Sequence, residues 1–262
     1  MSNLRTAIAA EWLKSRRSRV PWGVAAGFSV APLVMGLFMV ILKDPEAARN
    51  LGLLGAKAQL TAGTADWPTF CDLLGQAIVV GGAMLFAFLT AWVFGREFAD
   101  RTVRSLLANP TRRRTIVVAK AIVTGVWALL VSIWVLALGL GIGALVGLPS
   151  WSADKAVGTV ASIALGSVLV IGLQTWAAFF AGLGRGYLAP LAWTVTAVVA
   201  AQMLAVLGWG AWFPWSVPAV LAGAGGAQVD PVSPAAVGAV LVVVVAGLAA
   251  TIAWWERADQ SG

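Results

Sequence analysis

The hydrophobic positions of the chain fall into six long runs separated by shorter polar segments. An apolar helix needs about 20 residues to cross roughly 30 Å of hydrocarbon, and each run is long enough to do so. None of the runs contains Asp, Glu, Lys or Arg. The predicted spans are residues 21–42, 73–95, 121–148, 157–184, 186–207 and 236–255. The pattern therefore predicts an all-α integral membrane protein with a six-span transmembrane domain over residues 21–255.

Composition supports the same fold class. Hydrophobic residues make up 60% of the chain and charged residues 11%, against roughly 45–50% and 25% in soluble globular proteins. The chain also contains 14 tryptophans and 29 glycines, and both residue types are favoured in or beside membrane spans. A soluble fold could not cover this much apolar surface with so few charges.

The distribution of positive charge predicts the orientation. The loops on one side of the predicted spans carry 14 of the 18 Lys and Arg residues, and those on the other side carry four. The positive-inside rule then places both termini, including the tail 256–262, in the cytoplasm. The first span is longer than the roughly 7–15 apolar residues of a signal-peptide core. We therefore expect it to be retained in a multi-pass protein of the cell inner (plasma) membrane.

The amino-terminal stretch, residues 1–20, has its own pattern. Leu4, Ala7, Ile8 and Trp12 recur at helical spacing between charged positions. This pattern predicts an amphipathic interfacial helix in the inner headgroup layer. A basic tail that only sets the topology is the alternative.

The chain lacks the residues that most catalytic sites need. It has no histidine and a single cysteine, which argues against a structural zinc site and excludes an internal disulfide. We find no His-Glu-x-x-His, no complete nucleophile elbow and no P-loop. We therefore expect no enzyme activity, no metal and no cofactor in this chain, and the net charge of +7 reflects topology rather than nucleic-acid binding.

The spans are also unlike those of an ion-coupled transporter, which usually carry ionisable groups. Their larger polar side chains are Gln76, Gln174 and Gln202. If the protein transports a substrate, the energy is expected to come from another subunit.

The loop between the second and third spans carries the most distinctive motif. Glu97 to Arg101 and Asp100 to Arg104 are acid–base pairs at four-residue spacing, which favour a helix over residues 97–108. Its apolar stripe suits docking into a groove of a soluble partner. Resting on lipid headgroups is the alternative, although anionic lipid would repel the two acids.

The segment from Glu97 to Lys120 reads Glu-Phe-x-Asp-Arg-Thr-x-Arg-x-Leu-Leu-x-x-Pro-x-x-Arg…Lys. It resembles the first cytoplasmic loop of type-2 ABC exporter permeases, most closely the branch with the bacitracin- and lantibiotic-resistance permeases. Many such permeases have glycine where this chain has Arg101. The opening Glu11-Trp12-Leu13-Lys14 also resembles the amino-terminal interfacial helix of that family.

This resemblance implies a cytoplasmic coupling helix that contacts a separate ATP-binding cassette subunit, which would hold ATP and Mg. A second copy of the permease, or a related permease, would face this chain in the lipid membrane. The implied coupling residues are Glu97, Phe98, Asp100, Arg101, Thr102, Arg104, Leu106 and Leu107. The second and fifth spans would line the substrate path, with Met84, Phe86, Phe88, Trp193, Thr194 and Met203 as its candidate residues.

Residues 208–235 are too apolar for a solvated loop and too interrupted by Pro and Gly for a span. We expect a partly re-entrant outer segment, which is feasible where its backbone is buried in protein. Anchoring at the membrane interface through its tryptophans is the alternative.

Together these observations predict the transmembrane permease subunit of an ATP-driven ABC exporter. Its substrate would be amphiphilic: a peptide antibiotic, a drug or a lipid-like molecule. The alternative is a membrane scaffold that does not transport and recruits a soluble partner through the 97–108 loop.

Overall fold

The computed structural model describes residues 2–44, 64–102, 111–224 and 232–257, and within these ranges the chain is built of helices and short connections. The helices are α1 (Ser2–Arg17), α2 (Val20–Lys43), α3 (Trp67–Gln76), α4 (Gly82–Ala99), α5 (Arg113–Val146), α6 (Ala153–Leu183), α7 (Leu188–Val206), α8 (Val217–Leu221) and α9 (Pro234–Arg257). A π-helical turn, Ala77–Gly81, joins α3 to α4, so that residues 67–99 form one continuous helix.

Six of these helices are long and apolar enough to cross a membrane: α2, the continuous 67–99 helix, α5, α6, α7 and α9. The all-helical fold class and the expected six long apolar helices are therefore confirmed. Two of the helices begin well before the predicted spans, at Trp67 instead of residue 73 and at Arg113 instead of residue 121. The apolar runs underestimate these helices because backbone hydrogen bonding continues past a charged residue, and Lys120 lies inside α5.

The two ends of the bundle differ in charge. One end holds α1, the carboxyl end of α4, the start of α5 and Arg257, and we call it the basic end. The other end, which we call the far end, holds the start of α3, the start of α6 and residues 208–224.

Helices α6 and α7 are joined by a tight connection at the basic end. The predicted spans 157–184 and 186–207 are separated only by Arg185, which already indicates a short turn. It occupies residues 184–187, with Arg185 in the left-handed region at φ 48°. A Cβ atom at Gly95 would lie 2.9 Å from the carbonyl oxygen of Gly186. Glycine at position 95 thus allows α4 to pass directly against this turn.

Helices α3 and α5 approach closely at two glycines of α5. A Cβ atom at Gly139 would lie 2.5 Å from Leu74 Cδ2, and one at Gly143 would lie 2.6 Å from Trp67 Cη2. Gly139 and Gly143 therefore serve packing within the chain, and glycines four residues apart lie on one helix face and permit such a close approach. Gly147 instead ends α5 in the left-handed conformation, at φ 66°.

The described part of the 208–235 segment folds onto the far end of the bundle. Its short helix α8 packs against α6 and α9, with Val217 fully buried. The carbonyl oxygens of Pro218 and Ala222 come within 2.8 and 2.6 Å of the positions that Cβ atoms would take at Gly166 and Gly75. Residues 225–231 lie outside the described ranges, and the partly re-entrant arrangement stays a prediction.

We predict that Gly143→Leu destabilises the bundle by about 1–3 kcal/mol or more, because the added side chain overlaps the Trp67 ring in a packed contact. Gly141→Leu is the matched control, since a Cβ atom at Gly141 meets nothing within 4 Å. Thermal unfolding of the detergent-solubilised variants measures the difference. Equal midpoints for the two variants would contradict the assigned α3–α5 contact.

Candidate functional site

Five charged side chains from three helices meet inside the basic end. Glu11 and Lys14 come from α1, Arg96 and Glu97 from the last turn of α4, and Lys120 from the second turn of α5. We call these five residues the charge cluster. Their residue types and distances are those of a structural ion-pair network, in which opposite charges offset the cost of burial.

Lys120 is the centre of the charge cluster, and its side chain is completely buried. Its ammonium group donates to Glu11 Oε2 at 3.1 Å, to Glu97 Oε1 at 3.1 Å and to the carbonyl oxygen of Val93 at 3.0 Å. A lysine ammonium has three donors, and all three have partners here.

The two carboxylates of the charge cluster are bound from several directions. Glu11 is 4% exposed and also contacts Lys14 at 2.9 Å and Arg96 at 3.2 Å. Glu97 is 6% exposed and accepts a hydrogen bond from the Thr102 hydroxyl at 2.7 Å. Burial alone would raise the pKa of Glu11, but the charges of Lys120 and Lys14 outweigh it and hold that pKa below its usual value.

Aromatic contacts add to the attachment of α1. Trp12 stacks on Trp127 of α5, with ring centroids 5.3 Å apart and an interplanar angle of 22°. Ile8 packs with Trp12 against buried Leu89 and Val123. The apolar stripe of the amino-terminal stretch thus forms the predicted helix and packs on the bundle, whereas its position in the headgroup layer stays a prediction.

The predicted helix over residues 97–108 is wrong at its start, because Glu97 and Phe98 belong to the last turn of α4. Asp100, Arg101 and Thr102 form an exposed turn in which Arg101 has φ 56°. Arg101 N–H donates to Phe98 O, and Thr102 N–H donates to Glu97 O. These two bonds and the left-handed residue are the Schellman arrangement that ends many helices.

This turn changes what the two acidic residues of the motif do. Glu97 is directed into the charge cluster and pairs with Lys120 and Arg96, whereas the sequence spacing predicted a surface pair with Arg101. A left-handed conformation costs a non-glycine residue roughly 1–2 kcal/mol. Glycine adopts it freely, so a glycine at position 101 would form this turn without that cost.

Phe98 links the same turn to the last span. Its ring lies 5.6 Å from that of Trp255 and 6.0 Å from that of Trp254, edge to face in both cases. The other predicted coupling residues, Arg104, Leu106 and Leu107, lie outside the described residues. Within the described part, the segment 95–102 contacts α1, α5, α9 and the 184–187 turn.

A second feature is a cavity of about 530 Å³ in the far half of the bundle. Its walls come from the π-helical turn, the second half of α7 and the folded segment 208–224. Most lining groups are aliphatic, and the polar side chains among them include Gln202 and Ser216. A smaller cavity of about 30 Å³ shares four lining residues with it and reaches Trp193 and Thr194.

The candidate path residues are therefore spread over different environments. Trp193 stacks on Phe180 and, with Thr194, lines the smaller cavity. Phe86 is fully buried and packs edge to face on Phe28 at a centroid distance of 6.0 Å. The remaining candidates are Met84, which is half-buried, and Phe88 and Met203, which are exposed.

Sequence reasoning missed the charge cluster and the π-helical turn. A signal for the cluster was present, since Glu11 and buried Ser15 lie on the same face of α1 as Ile8 and Trp12. The signal for the π-helical turn was weaker: β-branched residues directly before the Gly81–Gly82 pair.

Comparison with known proteins agrees with this architecture. The family described as "ABC-2 family transporter protein" matches residues 7–202, which is most of the chain. The "Bacitracin transport permease protein BCRB" of Bacillus licheniformis is 33% identical over 85 residues, or 31% of this chain. The matched stretch is 41% of that protein's length, and no solved structure matches the chain significantly. With its six apolar helices and a match over most of its length, the chain belongs to the ABC-2 family of transporter proteins.

Proposed function

We propose that this chain is the membrane-spanning permease subunit of an ATP-driven exporter, with the basic end and both termini in the cytoplasm. A separate ATP-binding cassette subunit holds ATP and Mg and hydrolyses the nucleotide. This chain then contributes no catalytic residue, no metal site and no cofactor of its own. Its partner in the membrane is a second copy or a related permease.

The observation that carries this proposal is the charge cluster. It joins α1, α4 and α5 within a few ångströms of the exposed turn at Asp100–Thr102, and Thr102 bonds directly to Glu97. Separating these helices would leave charges buried without partners, which is costly. A force that an ATPase subunit applies to residues 100–112 is therefore passed to three helices together.

The cavity of about 530 Å³ suits the transport step. Its aliphatic walls with a few amide and hydroxyl groups favour an amphiphilic molecule over a free ion. The name of the Bacillus licheniformis relative refers to bacitracin, which supports a peptide antibiotic as one candidate, beside drugs and lipid-like molecules. A scaffold without transport activity, the alternative, has no use for such a cavity.

We predict that Lys120→Met destabilises the protein by about 3–5 kcal/mol, because Glu11 and Glu97 would then lose their shared buried partner. Lys14→Met is the matched control, since the Lys14 side chain is 42% exposed and exposed ion pairs contribute only about 0–1 kcal/mol. Thermal unfolding in detergent compares the two variants. If the Lys120→Met protein were as stable as the control, the charge cluster would not hold α1, α4 and α5 together, and the proposed joint movement of these helices would lose its basis.

The contact with the ATPase subunit is tested by replacing Leu106 and Leu107, which lie outside the described residues, with Asp. We expect the double variant to insert into the membrane normally but to lose substrate-stimulated ATP hydrolysis, because two charges replace the apolar docking stripe. Ser105→Asp is the control for added negative charge in the same segment. Full stimulation in the double variant would show that this stripe does not couple the subunits.

The proposed role of the cavity of about 530 Å³ as the substrate path is tested by a substitution at Ala201. This residue is a buried residue of α7 that lines the cavity. Ala201→Phe should lower substrate export about tenfold, because the phenyl ring would occupy part of the cavity and a loss of about 1.4 kcal/mol in substrate binding corresponds to a factor of ten. Val199→Phe is the matched control, because Val199 lies on the same helix and is 52% exposed. Export from vesicles, with ATP hydrolysis measured in parallel, gives the comparison. Equal export by the two variants would exclude this cavity as the path.

A further inference from the structure

A third cavity, of about 390 Å³, opens at the far end of the bundle. It lies between the start of α3, the 150–163 segment and residues 221–223. The short segment 219–224 separates it from the larger cavity, since residues 219, 220 and 224 line the larger one. The two cavities thus lie on opposite sides of one thin partition.

The described lining of the 390 Å³ cavity carries a single charge. Among its lining residues that the structure describes, Asp72 is the only charged side chain. Its carboxylate oxygen Oδ1 lies 2.9 Å from the position that a Cβ atom would take at Gly223. Gly223 has φ 89°, so that this residue turns the chain there and leaves room for the carboxylate. Within the described ranges, no salt bridge reaches Asp72.

Two indole rings stand in the same wall. Trp67 and Trp151 meet edge to face, with centroids 4.6 Å apart and an interplanar angle of 67°. The Trp67 backbone N–H donates to Pro149 O at 3.2 Å, which fixes the start of α3 to the loop that carries Trp151. Trp151 remains 54% exposed and offers ring surface to a ligand.

The chemistry of these groups selects for a cation. An organic ammonium group is attracted both to a carboxylate and to the faces of aromatic rings. Ser150, Ser162 and Thr159 line the cavity as well, and their hydroxyl oxygens place further partial negative charge beside a bound cation. An anion would meet the uncompensated charge of Asp72 and find no basic side chain among the described lining residues.

We propose that this far-end cavity binds an organic ammonium group attached to an apolar or aromatic body. Asp72 neutralises the charge, and Trp67 and Trp151 contact the body of the ligand. The site is separate from the proposed substrate path, and its occupation requires neither ATP nor an ATPase subunit. An ammonium of this kind comes either from a soluble molecule or from the headgroup of a zwitterionic lipid.

The test is equilibrium binding of radiolabelled benzyltrimethylammonium to the purified full chain in detergent. We expect saturable binding, and Asp72→Asn should weaken it about tenfold or more, because the negative charge that attracts the cation is removed. Trp151→Leu should weaken it as well. Glu256→Gln, which removes an exposed carboxylate at the basic end, is the matched control and should bind as the unmodified chain does.

Unchanged affinity in Asp72→Asn, or the absence of saturable binding in the unmodified chain, would overturn the proposal. The neutral isostere neopentylbenzene, with carbon in place of the ammonium nitrogen, should fail to displace the probe. Displacement as effective as that by unlabelled benzyltrimethylammonium would also overturn the proposal, because the cavity would then select only for apolar shape. Since no transport is measured, these outcomes are independent of those for the proposed exporter.

A second pair of measurements separates the two sources of the ammonium group. The same probe is bound to the chain in nanodiscs of phosphatidylethanolamine and in nanodiscs of digalactosyldiacylglycerol, both of which are uncharged overall. Weaker probe binding in phosphatidylethanolamine, with the difference lost in Asp72→Asn, assigns the site to the lipid headgroup. Equal binding in both lipids, still reduced by Asp72→Asn, assigns it to a soluble cation.

Discussion

The buried ammonium group of Lys120 is the constraint on which the rest of the basic end depends. A charge taken out of water is tolerated only when its hydrogen-bonding capacity is filled and opposite charge lies beside it. Here the three partners of the ammonium group come from α1, from α4 and from the α4 backbone. The position of one side chain on α5 therefore fixes how the amino-terminal helix and the second span meet.

The turn after α4 is attached to the same cluster. Glu97 is held inward by Lys120, and the Thr102 hydroxyl of the turn donates to its carboxylate. The helix ends at Ala99 in a left-handed turn, and the chain enters residues 103–110 from a fixed point. Phe98, packed on Trp255, ties this point to the last span.

Much of the fold could be predicted from the sequence because the bilayer imposes a simple length and polarity rule on each span. The six apolar helices and the tight turn at Arg185 follow from local patterns. The charge cluster could not be predicted in the same way. Lys120 lies close to three arginines in the sequence and was counted with them as a loop charge, whereas its burial depends on two acids that are 109 and 23 residues away in the chain.

The cavities were beyond prediction for a related reason, since each is enclosed by segments that are distant in sequence. Thr194 and Trp193 were named from the resemblance alone, and the structure puts both beside a cavity. Phe86 was named with them but lies in the tightly packed core. The difference depends on how each helix is rotated about its own axis. A helix that is apolar on every face gives no sequence signal for that rotation.

The π-helical turn at Ala77–Gly81 has a consequence for how the second span can move. A π-helical turn accommodates one residue more than the surrounding α-helix, and one residue corresponds to about 100° of rotation around a helix with 3.6 residues per turn. If the extra residue migrated along the span, the side chains that it passed would rotate by that angle while both ends of the helix stayed in place. Val79 and Val80, which line the larger cavity, lie inside this turn. The position of the extra residue therefore decides which side chains of the second span face the larger cavity, and the charge cluster lies at the other end of the same continuous helix.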